Sequence, residues 1–231
     1  MLLAGGSVYH DKELLSQKTH VCFSDSDGMN FSTLIPIELE DDVESDFDWL
    51  WRVTWFGEHA YGVLYQKDQR NTALVRTNDG VHYEHLTRFD FAGRPNEATI
   101  RFLSDGTMAI MHRREEDDQM GYWGTSRAPF VNWEWQPMDL RLGGPDFCVL
   151  DDGKIVVGTR IYQSSGHYVG ILLGNRKGVF REIFKLPSGG DCSYPGFVVE
   201  EDRILMSYYA SHEGQAKIYL AKIRKNLLPD K

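Results

Sequence analysis

The residues of this sequence that could carry chemistry are carboxylates, arginines and a tyrosine that stand where short apolar segments begin or end. A guanidinium keeps its proton and can hold a carboxylate with two parallel hydrogen bonds. A phenol, with a pKa near ~10, becomes a useful nucleophile only beside a base, and two carboxylates can share the work of acid and base. The candidates are Arg52, Glu97, Arg113, Asp146, Arg160, Asp191 and Tyr194.

Aromatic residues make up 13% of the chain, and Trp51 lies beside Arg52. Planar rings suit stacking on a sugar, although most aromatic residues of such a chain pack between sheets. Trp51 is therefore a further candidate for ligand contact, with packing as the alternative.

A hairpin of two apolar strands around a tight turn recurs along the chain. Its turn residues are 49, 47 and 49 positions apart, at Gly57, Gly106, Gly153 and Asp202. The Asp-Gly pairs favour the positive φ angles of a short hairpin turn. The paired runs are 53–56 with 60–64, 98–103 with 107–111, 147–150 with 154–158, and 197–199 with 203–208. Repeats of this length that hold several strands indicate a β-propeller.

Each of these hairpins is followed by a second one. The best example joins runs 72–76 and 83–89 through Asn78-Asp79-Gly80, and another joins 19–24 and 31–37 through Ser26-Asp27-Gly28. Helical periodicity is almost absent, and only residues 11–18 could form one helical turn. The sequence therefore predicts an all-β propeller of four-stranded blades.

The predicted organisation is a single β-propeller domain over residues 1–231. A partial blade covers 1–40, whole blades cover 48–92, 95–140 and 145–186, and a last blade covers 194–224. Loops that vary on a rigid propeller emerge around its central channel, so Glu97, Arg113 and Tyr194 should converge there. The charged segment 113–118 is expected to be a solvated loop from which only Arg113 points inward.

Two of the second hairpins resemble degenerate Asp-boxes of the sialidase superfamily, in which an aspartate braces a turn and an aromatic residue packs beneath it. Asp79 with Tyr83, and Asp27 with Phe31, fill those places. The run 96–113 is similar to a sialidase segment in which Asn-Glu opens one strand and an arginine ends the next. With the runs 94–102 and 188–214, nearly the whole chain resembles uncharacterised bacterial BNR-repeat proteins of the sialidase family.

The resemblance implies roles for individual residues. Tyr194 would be the nucleophile, Glu97 its base, and Arg113 part of the arginine triad that grips the substrate carboxylate, with Arg160 as a second member. The first triad arginine and the acid/base aspartate have no counterpart here. Other expected substrate contacts are Arg52, Trp51, Asp146 and Asp191.

The blade number follows from the same resemblance. Sialidase propellers have six blades and Met1 falls inside a strand-like run. A six-bladed propeller that is incomplete at its N-terminus is therefore expected, with a closed five-bladed ring as the alternative.

Composition narrows the possible partners. The net charge is −9 and no basic run exceeds Arg113-Arg114, so no nucleic-acid partner is expected. No apolar run approaches the ~20 residues that cross a bilayer, so no membrane partner is expected. Three cysteines without a CxxC pair give no metal spacing, and no cofactor is expected. There is no signal-peptide pattern, so the chain would be cytoplasmic if Met1 is its true start, and its location and oligomeric state are otherwise unknown.

Three functions remain open. The first is a sialidase-like retaining glycosidase that uses Tyr194 and Glu97 on a sugar, an acidic one being an option. The second is a non-catalytic carbohydrate-binding propeller, including a truncated inactive relative. The third is a glycosidase on a five-bladed ring that uses two inward carboxylates ~5–10 Å apart as acid and base, chosen from such residues as Glu97, Asp146 and Asp191.

Overall fold

The structure is a computed structural model that describes residues 1–66 and 70–229. Strands make up 60% of it. Among those residues there is no α-helix, and a single 3-10 turn covers Lys225–Leu227. None of the described segments is a helix long and apolar enough to cross a membrane. Residues 67–69 and 230–231, which belong to the predicted domain 1–231, lie outside the described residues.

The chain separates into two compact units, Met1–Asn96 and Glu97–Lys231. The first unit contains two sheets. One has the order β1-β2-β3, formed by Leu2–His10, Glu13–Cys22 and Ile35–Pro36. The other has the order β4-β8-β7-β6-β5, formed by β4 (Glu38–Leu39), β5 (Asp48–Phe56), β6 (His59–Gln66), β7 (Asn71–Thr77) and β8 (His82–Phe89). Only β4 is parallel to its neighbour β8 among the strand pairs of this unit.

The second unit contains three antiparallel sheets in chain order. The first is formed by β9 (Pro95–Phe102), β10 (Met108–Arg114), β11 (Met120–Ser126) and β12 (Glu134–Arg141). The second is formed by β13 (Asp146–Val149), β14 (Ile155–Ile161), β15 (Tyr168–Gly174) and β16 (Phe180–Lys185). The third is formed by β17 (Cys192–Val199), β18 (Arg203–Ala210) and β19 (Lys217–Arg224). Strands β10, β14 and β15 are buried along most of their length. Strand β15, for example, reads Tyr-Val-Gly-Ile-Leu-Leu-Gly and is buried along most of its length, as expected of a strand covered on both faces.

Each unit has its own apolar core. In the first unit Leu50, Leu64 and Val75 pack with Val43 and Tyr83. In the second unit one cluster packs between the sheets that begin at β9 and β13, around Trp123 and Phe147, whose ring centroids are 5.3 Å apart. Another cluster fills the space between the sheets that begin at β13 and β17, with Ile171 and Met206 near its centre. Sheets stacked through such clusters are the layered packing of propeller blades.

The prediction of an all-β propeller of four-stranded blades is confirmed. The blades number five, one for each of the five sheets. This count agrees with the five-bladed alternative, while a six-bladed ring that is incomplete at its N-terminus stays a prediction. The assignment of residues 1–231 to a single domain with the stated blade limits stays a prediction.

All four recurrent hairpins are confirmed, as the pairs β5–β6, β9–β10, β13–β14 and β17–β18. At Asn78-Asp79-Gly80 the turn is braced as expected. Asp79 accepts the amide hydrogens of Val81 and His82 at 2.7 and 2.9 Å, and Tyr83 is buried below it.

Two local expectations near the N-terminus are wrong. Residues 11–18 form no helical turn, because most of them belong to β2, which pairs with β1 along its length. At Ser26-Asp27-Gly28 the bracing carboxylate is that of Asp25, which binds the Asn30 side chain at 2.6 Å, while Phe31 is 53% exposed instead of packed beneath the turn.

Candidate functional site

The site is built first on the hairpin of β9 and β10. The turn is closed by a hydrogen bond of 2.9 Å from the Leu103 amide to the Thr107 carbonyl, with Gly106 at a φ of 78°. Six residues back from Leu103 is Glu97, and six residues on from Thr107 is Arg113. The two side chains therefore face each other at the far end of the hairpin, where the Arg113 Nη1 donates to Glu97 Oε2. The spacing of 16 positions seen in the sequence is the spacing that this register requires.

Tyr194 reaches the same carboxylate from β17. Its hydroxyl donates a hydrogen bond of 2.9 Å to Glu97 Oε1 across 97 positions of sequence. The register of β17 against β18 shifts between Ser193 and Gly196, so one extra residue bulges there. Tyr194 sits in that bulge with a φ of 53°, a conformation that costs free energy in any residue other than glycine. Bulges of this kind re-aim a side chain, and here the side chain is turned toward Glu97.

The surroundings of Tyr194 keep its phenol protonated. Burial, together with the neighbouring Glu97 carboxylate, raises the pKa of Tyr194 to about 12. The residue is nevertheless 42% exposed, so one side of the ring remains accessible. Gly144, at a φ of 58°, makes room for the ring, because a Cβ atom there would overlap Tyr194 Cδ1. The phenol is thus held in place, protonated and hydrogen-bonded to a base.

Arg160 lies at the end of β14 and holds the strand that carries Tyr194. Its Nε donates to the Cys192 carbonyl at 2.6 Å, and its Nη2 donates to the Tyr209 hydroxyl at 2.9 Å. The Tyr209 hydroxyl in turn donates to Asp191 Oδ1 at 2.6 Å. The rings of Tyr209 and Tyr194 are 5.7 Å apart, so this group adjoins the nucleophile candidate.

Arg113 belongs to a second group of charges that sequence reasoning missed. Its Nη2 contacts Glu115 Oε1, and Glu115 Oε2 accepts from Arg141 Nη2 at 3.3 Å. The Arg141 guanidinium lies 4.0 Å from the centre of the Tyr162 ring. Burial lowers the pKa of Arg113, but the carboxylates of Glu97 and Glu115 outweigh it and raise that pKa above its ordinary value. Arg113 is therefore a permanent cation between two carboxylates.

The expectation of a solvated loop at 113–118 is wrong in part. Arg114 is only 4% exposed, and the Glu115 side chain is 22% exposed. Asp117 and Asp118 are exposed and bind Arg114. From the sequence alone, nothing in this run of six charged residues indicates that Arg114 and Glu115 turn inward.

The remaining predicted contacts are Asp146, Trp51 and Arg52. Asp146 is 1% exposed and forms an ion pair of 2.6 Å with Arg101, so it is engaged inside the sheet packing. Trp51 and Arg52 belong to β5 of the first unit, where the Arg52 guanidinium lies 5.6 Å from the centre of the Trp51 ring. Their part in ligand contact stays a prediction. Across residues 1–66 and 70–229, no three His, Cys, Asp or Glu side chains are grouped as a metal site would require.

No protein-family model and no curated protein sequence matches the chain. Solved structures do match it. A protein of unknown function from Dyadobacter fermentans has a TM-score of 0.77 at 14% identity, over 95% of this chain and 67% of its own. The NanB sialidase of Streptococcus pneumoniae has a TM-score of 0.67 at 13% identity, over 92% of this chain and 36% of its own.

An endo-arabinase from Bacteroides thetaiotaomicron also matches, with a TM-score of 0.58 at 12% identity, over 96% of this chain and 89% of its own. At such identities the likeness is one of fold. The chain has the β-propeller fold that these glycoside hydrolases share, and it spans about a third of the length of the sialidase.

Proposed function

We propose that this propeller is a glycoside hydrolase that works by a retaining mechanism, with Tyr194 as nucleophile and Glu97 as its base. The observation that carries the proposal is the hydrogen bond of 2.9 Å from the Tyr194 hydroxyl to Glu97 Oε1. That distance is within the reach of direct proton transfer. Glycosidases that use a tyrosine in place of a carboxylate nucleophile are the sialidases, and a sialidase is among the proteins of similar fold.

The first chemical step would proceed as follows. The Tyr194 oxygen forms a bond to the anomeric carbon while its proton passes to Glu97, and the bond from that carbon to the leaving-group oxygen breaks. Because the pKa of Tyr194 is raised to about 12, the phenol cannot attack as a preformed anion at neutral pH, so proton transfer must accompany attack. A water oxygen then forms a bond to the anomeric carbon while the bond from that carbon to the Tyr194 oxygen breaks. Glu97 returns its proton to the Tyr194 oxygen, and the proton that the water loses passes to solvent, where it balances the released leaving-group anion.

The ligand is proposed to be a carbohydrate because the similar structures include a sialidase, an endo-arabinase and a family-43 glycoside hydrolase. Arg160 and Arg113 flank Tyr194 and would bind sugar hydroxyl groups or an anionic substituent. Asp191, bound to Tyr209, would add an acceptor on the same side. The exposed face of Tyr194 is where the sugar ring would sit.

A carbohydrate-binding propeller without catalysis is the second candidate. One observation favours it: both terminal nitrogens of Arg113 already bind the protein's own carboxylates, Glu97 and Glu115. Because the charges of this site are neutralised by the protein's own groups, the site could bind a sugar without hydrolysing it. Hydrolysis distinguishes the two candidates.

The test is hydrolysis of a panel of aryl glycosides, including an aryl sialoside, by the wild-type chain and two variants. Aryl leaving groups depart as phenolates, so their release does not need a protein acid. We expect Tyr194→Phe and Glu97→Gln each to lower kcat by roughly 100-fold or more, because each removes one partner of the proton transfer. A 2-fluoro glycoside should leave a mass adduct on the peptide that contains Tyr194.

The matched control is Tyr219→Phe, which removes the same hydroxyl group from a tyrosine of β19 that packs against Tyr208 at 5.6 Å. It should hydrolyse the panel at the wild-type rate. Hydrolysis that survives both Tyr194→Phe and Glu97→Gln would refute the mechanism. Sugar binding without any turnover in the wild-type chain would leave the binding propeller as the function.

A further inference from the structure

Glu115 occupies the position at which two arginines of the site converge. One of its carboxylate oxygens contacts Arg113 Nη2, and the other accepts from Arg141 Nη2 at 3.3 Å. This is the arrangement by which arginines hold a bound carboxylate, with the charged oxygens divided between two guanidinium groups. Here the carboxylate belongs to the protein itself.

The loop after β10 fixes Glu115 in this position. The Gln119 side chain donates to the Glu115 carbonyl at 2.9 Å. Arg114 donates to Asp118 Oδ1 at 2.7 Å and to the Met120 carbonyl at 3.1 Å, and its guanidinium lies 4.7 Å from the centre of the Tyr122 ring. A loop tied to its own strands at both ends cannot swing Glu115 away at low cost.

The charges of this site balance without a ligand. Three guanidinium groups face three carboxylates, which are those of Arg113, Arg141, Arg160, Glu97, Glu115 and Asp191. A sugar carboxylate placed beside Arg113 would lie next to Glu115, and repulsion between like charges that are partly removed from water is strong. An uncharged sugar meets no such opposition, because its hydroxyl groups can both accept from the guanidinium groups and donate to the carboxylates.

We infer that Glu115 takes the place of a ligand carboxylate between Arg113 and Arg141, and thereby selects uncharged sugars for this site. The inference rests on the proposed function only in taking the ligand to be a sugar. It gives Glu115 a role in specificity that is separate from the chemistry of Tyr194 and Glu97.

The test is equilibrium binding of matched sugars that differ in one carboxylate, glucose against glucuronate and galactose against galacturonate, measured by ligand-observed NMR titration. These are free monosaccharides, so the measurement needs no hydrolysis and can succeed when the proposed mechanism fails. The wild-type chain should bind the neutral member of a pair more tightly. Glu115→Gln keeps the shape of the side chain but removes the carboxylate charge between two guanidinium groups, and it should tighten uronate binding by roughly tenfold or more.

Two further variants complete the test. Glu201→Gln removes the same charge from the exposed turn between β17 and β18, and should leave uronate binding at the wild-type level. Glu115→Asp keeps the charge and should still exclude uronates. Tighter binding of a uronate than of its neutral partner by the wild-type chain would overturn the inference. So would a Glu115→Gln variant that binds uronates no better than Glu201→Gln.

Discussion

His112 is fully buried next to Arg113, and its ring nitrogen lies 3.2 Å from the Arg113 carbonyl. Burial disfavours the charged imidazole and lowers the pKa of His112 to about 4 from its ordinary value of 6.5. The unfolded chain therefore takes up a proton before the folded one does. The contribution of neutral His112 to the free energy of unfolding is therefore fully present above about pH 6.5 and is lost as the pH falls toward 4.

At pH 5 this one residue should cost the folded state about 2 kcal/mol relative to pH 7. Urea unfolding at the two pH values measures the difference, and the variant His112→Gln should lose that part of the pH dependence. A His112 imidazole signal that titrates near pH 6.5 in the folded protein would contradict the expectation.

The site residues show what a sequence can and cannot reveal at this scale. Glu97 and Arg113 could be paired from sequence because they lie symmetrically about one tight turn. The contact of Tyr194 with Glu97, 97 positions away, was expected only through the resemblance to sialidases. Glu115 could not be found, because a run of charges looks the same whether or not one member turns inward, and Arg141 stands in no motif that marks it.

At the scale of the elements, the bulge in β17 and the loop before β13 depend on each other. Gly144 lies in that loop at a φ of 58°, against the Tyr194 ring. If Tyr194 is the nucleophile as proposed, Gly144→Ala should abolish most of the hydrolysis, because the added methyl group must displace the ring.

Gly153→Ala is the matched control, since Gly153 has a φ of 79° but no atom lies within 4 Å of the place that an added methyl group would take. Both substitutions force alanine into left-handed backbone and should lower the free energy of unfolding by about 1 kcal/mol from strain alone. Only Gly144→Ala should also lose activity in the aryl glycoside assay. Equal activity in the two variants would show that the Tyr194 ring can shift without consequence.

A strand could be predicted from the sequence where the turn beside it carries a clear Asp-Gly signal. Asp-Gly turns at Gly106 and Gly153 fix hairpins locally, and both form as expected. Near the N-terminus the segment 11–18 is polar and carries no such signal, so its pairing with β1 depends on partners that the local sequence does not name. Phe31 stays exposed because Asp25, not Asp27, organises its turn.

At the scale of the whole molecule, the three cysteines can be used to follow the unfolding of both units. Cys22 is buried in the first unit, and Cys148 and Cys192 are buried in the second. Burial raises the pKa of Cys148 to about 12 and also raises that of Cys192, so little thiolate forms at neutral pH.

A thiol reagent should therefore label none of the three cysteines in the native protein and all of them in urea. Mass spectrometry of labelled peptides across a urea series would give one unfolding curve for Cys22 and another for Cys148 and Cys192. Labelling of any of these cysteines without denaturant would show that its surroundings open in the native state.

The fold class could be predicted from the repeat period alone, because few protein architectures contain hairpins at such a regular spacing. The number of blades could not, since the six-bladed expectation came from the family that the chain resembles and only the five-bladed alternative came from the chain's own repeats. The described residues contain five sheets.

The short parallel strand β4 has a consequence for behaviour in concentrated solution. Without β4, strand β8 would be the edge of its sheet, and an edge with free amide groups is a template on which another polypeptide can polymerise. Here the Val81 carbonyl accepts from the Glu38 amide at 2.8 Å, and the Glu40 carboxylate accepts from the His85 amide at 2.8 Å. The backbone of β4 and the side chain of Glu40 thus cover the edge of β8 and protect it from fibril growth.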